Sequence, residues 1–272
     1  MKKLFILLLI LAAAIPLAAQ KDSLNAMSLN GATGIYVVPT ARVGFSDTGL
    51  GFNVGYHTNY FKPLAGDADL NHLLQFNISL LKMLEFSGTF DIHPDIPHDK
   101  NNDVLVGGKF QFPVGSVPIA FGVTYQHLNL GNDNFSSWAF QIYGSVTYMA
   151  NIFGWPAETT LVVGHTFREE NNNSNIDFGM GFDLIVLPKY LYRYLHFLID
   201  FANFSYSAES WGADAWGRGV FNTGLRVDLG QIPALKKFNL AIDFFIADAF
   251  DSSDSVGSGR SFGAGVTFGM RL

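Results

Sequence analysis

The chain has 272 residues, 49% of them hydrophobic, with 28 glycines, 26 phenylalanines and no cysteine. Its 17 basic and 23 acidic residues leave a net charge of −6, which argues against nucleic acid as a partner. The absence of cysteine excludes a small exported scaffold stapled by disulfides.

The first residues read MKKLFILLLILAAAIPLAAQ. Lys2 and Lys3 form a basic start, Leu4–Ala14 an apolar core, and Ala18-Ala19 a small-residue exit, the pattern of a secretory signal peptide over 1–19. The apolar run is shorter than the about 20 residues a spanning helix needs. Cleavage after Ala19 removes two lysines and leaves 15 basic against 23 acidic residues. About 250 residues remain, enough for one large β domain.

Residues 20–47 precede the first strand as a segment of the periplasm or the barrel lumen. Their end runs into NGATGIYVVPTARVGFSDTGLGFNVGY, residues 30–56. Gly31 and Gly34 permit unusual backbone angles, Ile35–Val38 is a short extended run, and Pro39 stops it. With Thr40, Ala41, Gly49, Gly51 and Gly55, this stretch resembles the opening of the YjbH family, barrels of exopolysaccharide-secretion operons. The resemblance covers under 30 residues of a family whose proteins are much longer. It implies a related barrel and a link to envelope polysaccharide. Ser28–Val38 lies in the lumen or seals its mouth, with Gly31, Gly34, Ile35 and Pro39 as the plug residues; the alternative is a first hairpin arm.

From residue 48 onward the sequence alternates with a period of two, which gives a strand two unlike faces. In 50–60, Leu50, Phe52, Val54, Tyr56 and Tyr60 oppose Gly51, Asn53, Gly55, His57 and Asn59. The pattern recurs in 84–92, 137–148, 176–186 and 238–246. It predicts strands near 48–61, 70–80, 84–93, 104–112, 118–128, 137–149, 159–168, 176–187, 194–206, 218–228, 237–249 and 260–272. Connections at 81–83, 113–117, 150–158, 188–193 and 230–236 are short or aromatic, whereas those between are polar. Short turns on one side and polar loops on the other predict an all-β, transmembrane, antiparallel up-and-down barrel of about twelve strands over 48–272. A soluble β-sandwich also alternates, but its small core would not favour so many phenylalanines opposite glycine-rich polar faces. Tyr56, Tyr60, Tyr125, Trp138, Tyr148, Trp155, Tyr190 and Tyr192 fall at strand ends or turns, as interfacial girdles require.

The chain closes on SFGAGVTFGMRL. This stretch resembles the C-terminal recognition signal of bacterial outer-membrane barrels, with Leu272 in place of the usual terminal Phe. That resemblance implies handling by the barrel-assembly machinery and residence in the bacterial outer membrane, against lipid and lipopolysaccharide or its equivalent.

The inward face carries Glu85, Asp91, Asp177, Asp183, Asp200, Asp228 and Asp243 against Lys109, Arg168, Arg226 and Arg271, with His57 and His196. These predict the lining of a narrow, weakly cation-preferring pore or envelope transport component, since acids outnumber bases. Inward glycines such as Gly55, Gly179, Gly181 and Gly265 leave room for it. The alternatives are a non-conducting barrel linked structurally or to polysaccharide secretion and, more remotely, a barrel hydrolase. The loop DIHPDIPHDKNND gathers His93, His98, Asp91, Asp95, Asp99 and Asp103; its prolines suit a solvated loop better than a rigid metal site. No cofactor, metal or catalytic residue is implied. His196 and Asp200 share a face but lie roughly 13 Å apart along the strand.

Overall fold

The computed structural model describes residues 26–61, 69–92, 102–112, 117–130, 137–168, 176–204, 219–235, 237–250 and 260–272. The expected signal peptide, most of the metal-like loop and the remaining polar loops lie outside these residues.

Twelve strands form one closed antiparallel barrel in which each strand pairs with its sequence neighbours and β1 pairs with β12. They are β1 Leu50–Phe61, β2 Asp69–Leu80, β3 Leu84–Ile92, β4 Asn102–Phe112, β5 Ile119–Leu130 and β6 Ser137–Ile152. Then come β7 Trp155–Arg168, β8 Asp177–Ile185, β9 Leu195–Ala202, β10 Val220–Asp228, β11 Phe238–Ala247 and β12 Ser261–Arg271. The closing seam is continuous, from Gly51 opposite Arg271 to Tyr60 opposite Phe262. Closure leaves no strand edge unpaired, the condition for backbone to cross hydrocarbon.

The largest departure from the expected boundaries is at 150–158, which the sequence reads as a connection. It is a two-residue hairpin at Phe153 and Gly154, where Ile152 pairs with Trp155 and β7 begins early. Pro156 lies in β7, where a proline is tolerated near the first residue of a strand. Both hairpin residues have φ above zero, as the tight hairpin twist demands. β9 stops at Ala202 rather than 206, and the connection before it holds a one-turn helix, Pro188–Leu191.

The alternating faces separate as the sequence requires. Leu74, Phe76, Phe86, Phe121, Phe178, Phe244 and Phe268 stand exposed on the outer wall, while Asn53, Gln75, Thr89, Asp200 and Asp243 on the opposite faces are buried inside. A closed sheet with apolar side chains outward and polar ones inward is the architecture of a transmembrane barrel. Tyr56, Tyr60 and Tyr125 project from this wall, and Tyr190 and Tyr192 from the turn end. Of the outward histidines, His72 Nδ1 lies 2.6 Å from the Tyr56 hydroxyl and His165 meets the edge of Phe167.

Candidate functional site: a lumen closed by the N-terminal segment

The lumen holds a segment of the chain itself. Residues 26–45 run inside the barrel almost wholly buried, and the chain then leaves at the turn end, where Asp47 meets Arg271 of β12 at 3.4 Å. The segment is folded by its own turns. Met27 bridges Thr33, and Gly34 bridges Pro39, so that Ile35–Val38 forms the tip of a tight loop. Gly31 has φ +83° and lies so close to the wall that a Cβ there would stand 2.5 Å from the Gly88 carbonyl oxygen. At Gly34 a Cβ would stand 2.7 Å from the carbonyl of Val38. These glycines let the loop turn and press against the barrel.

One anchor lies on β3 and β4. Glu85 and Lys109 are cross-strand partners, 3.0 Å apart and each about 1% exposed at the side chain. The Glu85 carboxylate accepts from Thr33 N at 2.9 Å, Thr33 Oγ1 at 2.6 Å and Gly44 N at 2.9 Å. Lys109 Nζ donates to the carbonyls of Thr33 and Thr40, each at 3.1 Å. One ion pair therefore ties both legs of the segment together.

A second anchor lies on β9, β10 and β11. A single oxygen of Asp200 accepts from the backbone N–H of Tyr36, Val37 and Val38 at 2.9, 2.6 and 3.0 Å, while its other oxygen accepts from Asn222 at 2.6 Å. Arg226, paired with Asp243, donates to the carbonyls of Gly34, Met27 and Ile35 at 3.1–3.3 Å. His57 bridges Gln75 at 2.5 Å and Asp243 at 3.2 Å, and Gln75 donates onward to Ser28 O. Charge-assisted bonds of this kind are the stronger class, and buried polar groups left without them are costly.

Smaller contacts fill the gaps between the anchors. The N–H groups of Ala41, Val43 and Phe45 reach Thr147, Gln111 and Ser79. The carbonyls of Leu29 and Gly31 accept from Thr89 and Asn77. Near the turn end, Arg42 pairs with Glu158 at 3.3 Å.

Apolar contacts seat the tip. Val37 and Val38 pack with Leu105, Tyr143, Val162, Ala202 and Phe204, while Ile35 and Tyr36 pack with Leu198 and Phe245. The inward glycines are recesses that are already filled. A Cβ at Gly181 would lie 2.3 Å from Ile35 Cδ1, one at Gly55 2.3 Å from Met27 Cε, and one at Gly179 3.1 Å from Val38 Cγ2. Tyr143 lies across Gly122 and Gly164, its partners on either side, and His57 occupies the space over Gly265. The room these glycines provide holds side chains.

The remaining expected lining residues face the same interior. Asp177 accepts from Gln141 at 2.7 Å and Thr166 at 2.5 Å. Asp91 stands opposite Asp103 near the loop end, both buried, and Arg168 is buried at the same end of β7. Asp183 meets His196 Nδ1 at 2.6 Å, and His196 Nε2 meets the Arg193 carbonyl at 3.1 Å. That second nitrogen faces a carbonyl rather than a hydroxyl nucleophile. Asp228 accepts from Gly230 N and Gln231, closing the turn after β10. Among the described residues no group of three or more His, Asp or Glu is arranged to hold a metal.

Sequence reasoning missed the inward apolar residues Leu73, Leu105, Tyr143, Val162, Leu198 and Phe245, and the Arg42–Glu158 pair. A signal existed for the first group. Leu73-Leu74, Val162-Val163 and Phe244-Phe245 are apolar doublets inside alternating strands, so one member of each must face the lumen and needs an apolar partner there.

No family model and no curated protein matches the sequence. Solved structures of barrels are similar at low identity. The KdgM porin is 8% identical with a TM-score of 0.49, the match covering 81% of this chain and 99% of that one. An outer membrane channel from Pseudomonas putida F1 is 10% identical, with a TM-score of 0.46, over 82% and 96% of the two chains. Omp33 of Acinetobacter baumannii is 14% identical, with a TM-score of 0.44, over 81% and 97%. Likeness at this level assigns neither a family nor a solute.

Proposed function

We propose that this chain is a bacterial outer-membrane barrel, exported by a cleaved signal peptide, whose pore is closed by its own N-terminal segment and serves envelope transport when that segment is displaced. The observation that carries this reading is the segment's attachment to facing parts of the wall, at Glu85–Lys109 and at Asp200–Arg226–Asp243. A latent pore is favoured over a permanently filled barrel because the segment supplies the nearest atoms over Gly55 (Met27) and Gly181 (Ile35 and Val38), and at Gly179 Val38 shares the recess with Phe204. With the segment out, Glu85, Asp200 and Asp243 face the lumen against Lys109 and Arg226, which supports a weak cation preference. The outward phenylalanines suit lipid or lipopolysaccharide, and the apolar face of β12 suits the barrel-assembly machinery.

A second reading is a non-conducting barrel linked to polysaccharide secretion. It is favoured by one observation: Gly31, Gly34, Ile35 and Pro39, which carry the resemblance to the YjbH family, are residues that shape the loop in the lumen. Swelling of proteoliposomes in neutral sugars of graded size separates the two. The latent-pore reading expects no swelling with the unmodified mature chain and swelling in small sugars once Gly181 is enlarged to displace the loop. Folded protein that stays impermeable after displacement would sink it.

A further inference from the structure

The contacts between the segment and the wall are of one unusual kind. Eight amide N–H groups of the segment donate to wall side chains. Eight of its carbonyls accept from wall side chains. By contrast, segment side chains reach wall polar groups at Thr33, Arg42 and Asp47. The wall thus reads the main chain. Carboxylate, amide and hydroxyl oxygens stand where N–H groups arrive, and guanidinium, ammonium, amide and hydroxyl donors stand where carbonyls arrive. Asp200 and Arg226 are the extreme cases: Asp200 holds the N–H groups of three consecutive residues, Tyr36, Val37 and Val38, and Arg226 holds the carbonyls of Gly34 and Ile35 together with that of Met27 across the loop.

Main-chain hydrogen bonding lets a protein bind a peptide with little regard to side-chain identity, leaving specificity to a few pockets. Those pockets are present as well. The recesses at Gly55 and Gly181 accept Met27 and Ile35, and two apolar patches accept the tip.

We infer that the lumen wall is a receptor for the main chain of a turned polypeptide loop, so that a peptide segment is the ligand class able to replace the plug. The inference rests on the reading of residues 26–47 as a plug. It makes the plug a tethered occupant of a binding site, and displacement becomes competition by another chain.

The test keeps the full protein. A protease recognition sequence inserted between Asp47 and Thr48, at the exposed turn end, allows the chain to fold whole and then be cut. The cut fragment should co-elute with the folded barrel and be exchanged by an excess of dye-labelled synthetic peptide of residues 26–47. In an Asp200→Ala barrel it should be lost at least tenfold faster. A labelled peptide N-methylated at Val37 and Val38 removes two of the donors to Asp200 and should exchange at least tenfold less well, whereas an Ile35→Val peptide should exchange within a few-fold of the parent. Equal exchange by the methylated peptide would overturn the inference. So would loss of the fragment with no peptide uptake by a barrel still folded by heat-dependent gel mobility, or equal displacement by an acidic oligosaccharide. Current through the emptied barrel separates the two readings: peptide binding without current leaves the receptor and removes the pore, and current without peptide binding does the reverse.

Discussion

Replacing Asp200 with alanine should free the tip of the plug while leaving the barrel closed. The carboxylate accepts three backbone N–H groups at 2.6–3.0 Å, with Asn222 on its other oxygen. Hydrogen bonds to a charged acceptor contribute about 1.5–3 kcal/mol each, so three give an upper bound of about 9 kcal/mol. The bound is not reached, because three bonds to one oxygen are not additive and because the buried carboxylate carries a desolvation penalty of several kcal/mol. A net loss of about 3 kcal/mol remains, which is roughly a hundredfold in the population of the released tip. The chain has no cysteine, so a single Val37→Cys substitution reports the tip without background. Val37 is 3% exposed, and its cysteine should resist a water-soluble maleimide in the parent barrel. With Asp200→Ala the labelling rate should rise roughly a hundredfold by the same conversion. Unchanged protection, with the variant still inserted and resistant to unfolding, would refute the claim that Asp200 holds the tip.

Further outcomes follow from the same contacts. Gly181→Val should displace the loop, since the three atoms nearest a Cβ there belong to Ile35 and Val38; adding Ile35→Ala should restore closure, read as loss of the sugar permeability gained by the single variant. Lys109→Met strands a buried carboxylate and should lower stability by about 3–5 kcal/mol in urea unfolding, while the Glu85→Gln, Lys109→Met double variant should lose less than the sum of its parts. Leu74→Arg, placed midway along the outward face of β2, should cost about 2–4 kcal/mol when folding is measured into lipid vesicles, and a surface that meets only water would show almost no effect.

The wall was legible in the sequence because a strand's face is a local property. Alternation in 50–60 or 262–272 depends on neighbours two residues apart, and all twelve strands appear within a few residues of their expected places. The interior was less legible because its contacts join residues far apart in the chain. Arg226 and Gly34 are separated by 192 positions, and Asp200 and Tyr36 by 164. Periodicity assigns Asp200 to the inward face but says nothing of what stands across from it. The inward glycines suggest open space on the same grounds, since sequence gives the missing side chain and not the Ile35 or Met27 that takes its place. At 150–158 the failure was local, where an aromatic stretch read as a connection is a two-residue hairpin whose strands continue to its edge.

The central claim is that the N-terminal segment closes the pore, and single-channel current across a planar bilayer addresses it most directly. The refolded mature chain should hold the bilayer silent, and the Gly181→Val variant prepared in the same way should give stable steps with a weak preference for cations in a salt gradient. Stable steps from the unmodified chain, at the same size as from the variant, would contradict the account.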